Sequence, residues 1–365
     1  MKIILLSDAN SIHTLKWVES ISQKGFNIQL FSLFKPTKYS LKKYKQFNVK
    51  ITSPGLRSKI NKLREPNLSK ISYLQSIPLL KRTIKKFEPD ILHAHYASSY
   101  GVLGLLSGFK PFILSVWGSD IYHFPYKNRF NKWLISRVIT NSNFVCSTSN
   151  VMKKIIEKEY KRFDIKVIPF GVDIELFKKS NFHNKIFTVG TIKSIENHNG
   201  LDCLLDAAKL VIHNYKKDIN FIIVGDGLLR KAMEQKALDL NIEDKIKFTG
   251  FVNHENVIKY YNKLSVFVAV SKRESFGVSI LEAAACEIPS ITSNIGGLIE
   301  VNLHNETGIV INPNDPQKLA ESIMKLYKDE KLRFNMGVNA RKRVVEQYNW
   351  KNNVDQMISV YKSYI

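Results

Sequence analysis

The sequence predicts an α/β protein of two doubly wound, Rossmann-like domains facing each other across a cleft. Three observations predict it. Short β-rich runs alternate with helical patterns, the alternation occurs in each half of the chain, and a polar stretch, Gly171–Phe182 after Pro169, separates the halves. Strands alternating with helices imply a parallel sheet covered on both faces. At 365 residues each half can bury its own core. Open parallel sheets bind ligands beyond the carboxyl ends of their strands, so the loops that follow strands are where chemistry is sought.

In the first half the strand candidates are Ile3–Leu6, Ile28–Leu33, Val49–Ile51, Ile91–His95, Phe112–Trp117, Phe144–Ser147 and Val167–Ile168. Helical patterns such as His13–Lys24 and Val151–Glu159 lie between them. The second half repeats the scheme with Phe187–Gly190, Phe221–Val224, Lys247–Thr249, Val266–Val270, Ser290–Thr292 and Ile309–Ile311, and the chain ends in a helical pattern over Asn352–Tyr364. The expected domains are 1–175 and 176–351.

Composition limits the function classes. The chain is 44% hydrophobic and 24% charged, which is globular. Its apolar runs are too short to span a membrane, and only four apolar residues follow Met1-Lys2, too few for a signal peptide. Cys146, Cys203 and Cys286 are dispersed and odd in number, which fits a reducing cytoplasm and neither a disulfide framework nor a zinc site. Net charge is +23, of which residues 1–180 hold +20. Between Lys35 and Lys86 there are fifteen Lys/Arg and one acid, Glu65, with Leu56, Ile60 and Leu63 at helical spacing. A basic amphipathic segment points to an anionic membrane surface or an anionic-ligand groove. No nucleic-acid-binding module accompanies the charge, so nucleic acid is not an expected partner.

The segment Glu274-Ser-Phe-Gly-Val-Ser-Ile-Leu-Glu282 carries the most chemistry. It lies between a buried-strand pattern and the helix formers Ala283-Ala-Ala-Cys286, so it reads as a strand-to-helix turn. Glu274 falls in the loop and Gly277 turns the chain. The amides of Phe276, Gly277 and Val278 then sit at a helix start, where a phosphate or sugar hydroxyl is favoured. Glu282 lies about one turn into the helix, and with Glu274 it can accept hydrogen bonds from sugar hydroxyls. Lys193 follows an earlier strand and can neutralise an anionic group such as a phosphate. Gly225 and Gly227 form a Gly-rich strand-to-helix turn that permits close approach. His93 and His95 alternate on one strand and share a face, but no third ligand lies nearby, so they line or brace the cleft instead of holding a metal. Asp120 in Trp117-Gly-Ser-Asp either bonds a sugar hydroxyl or caps a helix. No Asp-x-Asp occurs, which points away from a metal-held diphosphate. The first strand is followed by no G-x-G-x-x-G, which argues against a dehydrogenase.

Taken in order, these motifs resemble the retaining, nucleotide-sugar-dependent glycosyltransferases of group 1, which have the GT-B fold. The Glu274–Glu282 segment matches the family's E-x7-E signature. Ile295-Gly-Gly-Leu-Ile-Glu300 matches G-G-x-x-E, and Glu306-Thr-Gly-Ile-Val-Ile-Asn-Pro-Asn-Asp315 matches T-G-x-x-V-x-P-x-D. Upstream lie Val167-Ile-Pro-Phe-Gly-Val-Asp173, Val224-Gly-Asp-Gly227 and Asp90-Ile-Leu-His-Ala-His95. The likeness runs from about Lys2 to Trp350.

The resemblance implies several roles. The backbone of Phe251 and Val252 would lie against the nucleotide base, and His13 would face the acceptor. The last helix, about 352–365, would cross back onto the first domain. The family's usual Arg and Lys of the phosphate clamp fall at Lys193 and Asn199, so Lys193 acts nearly alone or with Lys272 or Arg273. The sequence also departs at Asn10-Ser-Ile-His13, which lacks the family's glycines, and at Trp117, where a histidine is common. The implied reaction is transfer of a hexose-like sugar from a nucleoside diphosphate to a hydroxyl of a glycan or lipid-linked acceptor. It would proceed by front-face attack without a metal or other cofactor. Two alternatives are a nucleotide-sugar epimerase on the same fold and a non-catalytic anion-binding protein.

Overall fold

The structure is a computed structural model that describes residues 1–56, 73–180, 186–215 and 217–364. It divides into two compact units. One comprises Met1–Pro169 with Asn353–Ile365, the other Phe170–Asn352.

The first unit holds β1 (Lys2–Leu6), β2 (Asn27–Phe31), β3 (Lys50–Thr52), β4 (Ile91–His95), β5 (Phe112–Val116), β6 (Phe144–Ser147) and β7 (Ile165–Val167). They form one seven-stranded sheet in the order β3-β2-β1-β4-β5-β6-β7, with every pair parallel. Strands buried on both faces should be continuous apolar runs, and β4 and β5 are buried at every position. The helix Ile12–Gln23 turns Leu15, Trp17, Val18 and Ile21 inward at helical spacing. Leu56, the first residue of the apolar stripe expected near the basic segment, bridges to Phe34 and packs on this unit's core. It is therefore part of the fold and not a free apolar surface. The rest of that stripe, from Arg57 through Ile60 and Leu63 to Arg64, lies outside the described residues.

The second unit holds β8 (Thr188–Ile192), β9 (Asn220–Val224), β10 (Ile246–Phe248), β11 (Val266–Ala269), β12 (Ser290–Ser293) and β13 (Gly308–Ile311). The order is β10-β9-β8-β11-β12-β13, again all parallel. In both sheets the strand order reverses beside the unit's first strand. The loops after β1 and β4, and after β8 and β11, thus flank a switch point, where open sheets place ligands.

One boundary differs from expectation, while the last helix crosses back as expected. The units part at Pro169/Phe170, ahead of 175/176, because Val172 is already tied into the second unit. Its amide donates to Tyr348 O at 2.9 Å, and its carbonyl accepts from Trp350 N at 3.0 Å. The Phe170 ring also meets Phe276 at 5.9 Å. At the other end the helix Trp350–Lys362 enters the first unit from Asn353 onward. Asn353 Nδ2 donates to Pro169 O at 2.9 Å, Lys24 pairs with Asp355 at 2.7 Å, and Tyr361 meets His93 at 2.7 Å.

Candidate active site

In the second unit the functional side chains come from loops on both sides of the switch point. β8 continues two residues beyond Gly190, because Thr191 and Ile192 still pair with Ile223 and Val224. Lys193 is therefore the first residue beyond the strand. Its Nζ donates to Ser271 Oγ at 2.8 Å and to the Glu274 carboxylate, both from the loop after β11. The pair is mostly shielded from solvent. Burial on its own would raise the Glu274 pKa; the Lys193 charge and hydrogen bond, with the Ser275 amide, outweigh it and leave the carboxyl below its ordinary value. Sequence reasoning named Lys193 and Glu274 separately, and the sheet order brings them together.

The loops are locked backbone to backbone. Gly225 has φ 142°, and a side chain there would place its Cβ 1.9 Å from Lys193 O. Gly227 likewise abuts Ile195 O. The Gly225 amide donates to Gly250 O at 3.0 Å, which anchors the segment leading to the exposed Phe251 and half-buried Val252. Gly296, at φ 47°, backs the Glu274 carbonyl so closely that a Cβ would approach it to 2.1 Å. The Gly-Gly pair of the G-G-x-x-E motif is thus the seat of the Glu274 loop.

Gly277, at φ 96°, reverses the chain into the helix Val278–Ala285. Phe276, Gly277 and Val278 present their amides at its start, while the Phe276 ring turns inward against Phe170 and Tyr348. Glu282 lies deeper in this helix and is buried. It accepts from Tyr261 Oη at 2.7 Å and pairs with His254 Nε2 at 2.9 Å. Burial, and then the Glu282 charge, push the Tyr261 phenol well above its ordinary pKa, so it stays a donor. No motif in the sequence pointed to Ser271, His254 or Tyr261.

Two candidate residues of the phosphate clamp are engaged with protein groups. Asn199 Nδ2 donates to Ser194 O at 2.8 Å and Ser194 Oγ at 3.1 Å, so it closes its own turn. Lys272 pairs with Asp202 at 2.8 Å. Arg273 is exposed. Among the described residues, no group of three or more His, Cys, Asp or Glu is placed to hold a metal ion.

In the first unit His95 Nδ1 meets Ser7 Oγ at 2.9 Å, and its ring lies 4.3 Å from that of Trp117. His13 stands edge-on to Trp117 at 6.0 Å. His93 is held between Tyr361 Oη at 2.7 Å and Ser115 Oγ at 2.8 Å, and burial lowers its pKa to about 3. It is a neutral brace between the sheet and the last helix. The loop before His13 is built without glycines because Asn10 holds it: Thr37 N and Ser40 Oγ donate to Asn10 Oδ1 at 2.9 and 3.0 Å.

Asp120 requires a correction. It is 0% exposed and accepts from the amides of Ala97 and Gly118 at 2.8 Å and Trp117 at 3.3 Å. Burial raises its pKa, and the amides offset only part of that rise. The sequence offered a sugar-hydroxyl ligand or a helix cap; in the structure the short helix Ser119–Tyr122 has no side-chain cap, and the Asp120 carboxylate clasps loop amides instead.

Comparison with known proteins agrees with this architecture. The family profile described as "Glycosyl transferases group 1" matches residues 172–343, and "Glycosyl transferase 4-like" matches residues 2–149. An uncharacterized glycosyltransferase of Methanocaldococcus jannaschii is 30% identical over 305 residues, covering 81% of this chain and 83% of its own. An Escherichia coli UDP-Gal:alpha-D-GlcNAc-diphosphoundecaprenol alpha-1,3-galactosyltransferase is 29% identical, with 81% of each chain covered. A Staphylococcus aureus capsular polysaccharide biosynthesis glycosyltransferase is 27% identical over 82% of this chain and 83% of its own. Anabaena HepE in complex with UDP has the same fold, GT-B, with a TM-score of 0.83, 20% identity and full coverage of both chains. Profiles in both halves and a relative alike over most of both chains place this protein in a known family: it belongs to the group 1 glycosyltransferases.

Proposed function

We propose that the chain is a retaining, metal-independent glycosyltransferase. It would move a hexose-like sugar from a nucleoside diphosphate to a hydroxyl of a growing surface glycan or its lipid-linked precursor. The observation that carries the reading is the meeting of Lys193 and Glu274 at the switch point, beside the Phe276–Val278 amides. In this reading Lys193 and those amides take the charge that develops on the departing diphosphate. Glu274 accepts from sugar hydroxyls, and Glu282, oriented by Tyr261 and His254, accepts from the ribose. The bond from the anomeric carbon to the phosphate oxygen breaks as the bond to the acceptor oxygen forms on the same face. The acceptor proton passes to the leaving phosphate, so no strong protein base is needed. In the first unit, His13 beside Trp117 serves the acceptor.

The absence of Asp-x-Asp supports a diphosphate held without a metal. The names of the relatives support a surface-glycan role, and UDP-linked sugars are the first donors to test. No helix among the described residues is long and apolar enough to cross a membrane. We place the enzyme in the cytoplasm, with its basic first half at an anionic membrane surface. Each Lys or Arg near such a surface contributes roughly 1 kcal/mol, and the first 180 residues carry a net +20.

The test is a panel of nucleoside-diphosphate sugars, assayed for hydrolysis and for transfer to lipid-linked acceptors with EDTA present. Transfer with the anomeric configuration kept supports the reading. Isomerisation of the sugar nucleotide without acceptor would make the protein an epimerase. Salt-sensitive polyanion binding with no turnover would make it an anion-binding protein.

A further inference from the structure

The first unit carries a surface that the donor chemistry does not use. A turn over Pro125–Lys127 leads into the helix Arg129–Asn141, whose start is capped by Asn128 Oδ1 accepting from Asn131 N at 2.8 Å. The inner face is fixed by the core, where Asn131, Ile135, Val138 and Ile139 are buried. What remains outside is unusual in kind. Tyr126 is 58% exposed, Phe130 64% and Trp133 55%. Phe130 and Trp133 are neighbours, with ring centroids 5.7 Å apart. Large aromatics left in water at adjacent positions mark an interaction surface more often than scattered apolar residues do.

The charges around them give the partner's sign. Lys127, Arg129, Lys132 and Arg137 are all exposed and interleave with the aromatics. From Ile121 to Ile156 the chain contains no Asp or Glu. Glu159 reaches this face and pairs with Lys132. Tyr and Trp rings with polar edges beside a wholly apolar Phe, flanked by Lys and Arg, match the headgroup layer of a bilayer, where rings reach the acyl boundary and cations meet phosphates.

We propose that the face formed by Tyr126, Phe130 and Trp133, with Lys127, Arg129 and Arg137, docks on an anionic phospholipid surface. The inference deepens the membrane association given under Proposed function and rests on it. It moves the contact from the Leu56–Leu63 stripe to the helix Arg129–Asn141 and the turn before it. Electrostatic attraction brings the unit to the surface, and the three aromatics supply the part of the binding that salt does not remove.

The test uses the full chain with vesicles of phosphatidylcholine alone and with phosphatidylglycerol added. Of the four tryptophans, Trp17 and Trp117 are buried and Trp133 is the exposed one in the first unit. Anionic vesicles should therefore shift the emission to the blue, and Trp133→Phe should remove that shift while leaving binding largely intact. The double variant Phe130→Ser/Trp133→Ser should weaken sedimentation with anionic vesicles by at least about tenfold. The variant Arg129→Gln/Arg137→Gln should weaken binding and flatten its salt dependence. All four side chains point outward, so far-UV circular dichroism should be unchanged. Wild-type binding to anionic vesicles that persists in both double variants, but is lost in Ile60→Ser/Leu63→Ser, overturns this face and keeps the membrane reading. No wild-type binding to either vesicle overturns both. Retention on a soluble polyanionic glycan without vesicle binding assigns the face to the acceptor and overturns the proposal.

Discussion

Replacing Lys193 with Ala tests whether the Lys193–Glu274 pair is the electrostatic centre of the second unit. The side chains are 10% and 24% exposed, so the carboxylate left behind is poorly hydrated. It loses a charged donor, and Ser271 Oγ loses the same partner. Hydrogen bonds to charged groups contribute about 1.5–3 kcal/mol, so a cost of about 2 kcal/mol is expected, roughly thirtyfold in the folding constant. The pH dependence gives the sharper reading. In the native protein the Glu274 pKa is depressed below the ordinary 4.5, so its stabilising contribution is complete above that value. The contribution fades as pH falls through the folded pKa. Without Lys193, burial becomes the leading influence and the carboxyl should titrate above 4.5 instead. The stability gap between wild type and Lys193→Ala should thus be widest near neutrality and close as Glu274 becomes protonated in acid. Urea unfolding across that range, with Glu274 followed by carbon NMR, measures both quantities. A gap that stays constant with pH, or a Glu274 titration unmoved by the substitution, would refute the reasoning. Turnover should also fall further in Lys193→Ala than in Lys272→Ala, whose ammonium is engaged by Asp202.

Four other outcomes are expected. Glu274→Ala should lower sugar transfer at least about tenfold with the fold intact, since it removes an acceptor from a loop; circular dichroism and initial rates report both. Glu282→Ala should instead weaken nucleoside-diphosphate binding by about tenfold or more in calorimetry, and Tyr261→Phe should reproduce part of that loss by freeing a carboxylate oxygen. Transfer should survive excess EDTA; loss restored by magnesium or manganese would move the diphosphate onto a metal. Asp120→Ala should cost about 3 kcal/mol of stability, because three amides lose one buried acceptor, while active-site titration should find turnover per folded molecule little changed.

The fold was legible because doubly wound sheets write themselves plainly: β-rich runs buried on both faces, separated by helices, in two successive sets. Strand ends were less so, since Thr191 and Ile192 belong to β8 through hydrogen bonds to β9 and not through any local apolar signal. The same limit divides the site. Residues on the turns themselves could be named from motif and spacing, as Lys193, Glu274 and Gly277 were. Partners supplied by other strands could not. Tyr261 and His254 reach Glu282 from the helix His254–Tyr261, which precedes β11 in the chain, and Ser271 meets Lys193 through the pairing of β8 with β11. Asp120 could be read only as a sugar ligand or a cap for a related reason: one of its amide partners, Ala97, follows a different strand. The glycines show how the two kinds of information join. Gly225 and Gly296 were visible as motif letters, yet their function is to let the carbonyls of Lys193 and Glu274 rest on them. Motif glycines and motif charges are therefore one device. The glycines set the loop height, and loop height decides whether an ammonium from β8 and a carboxylate from β11 meet.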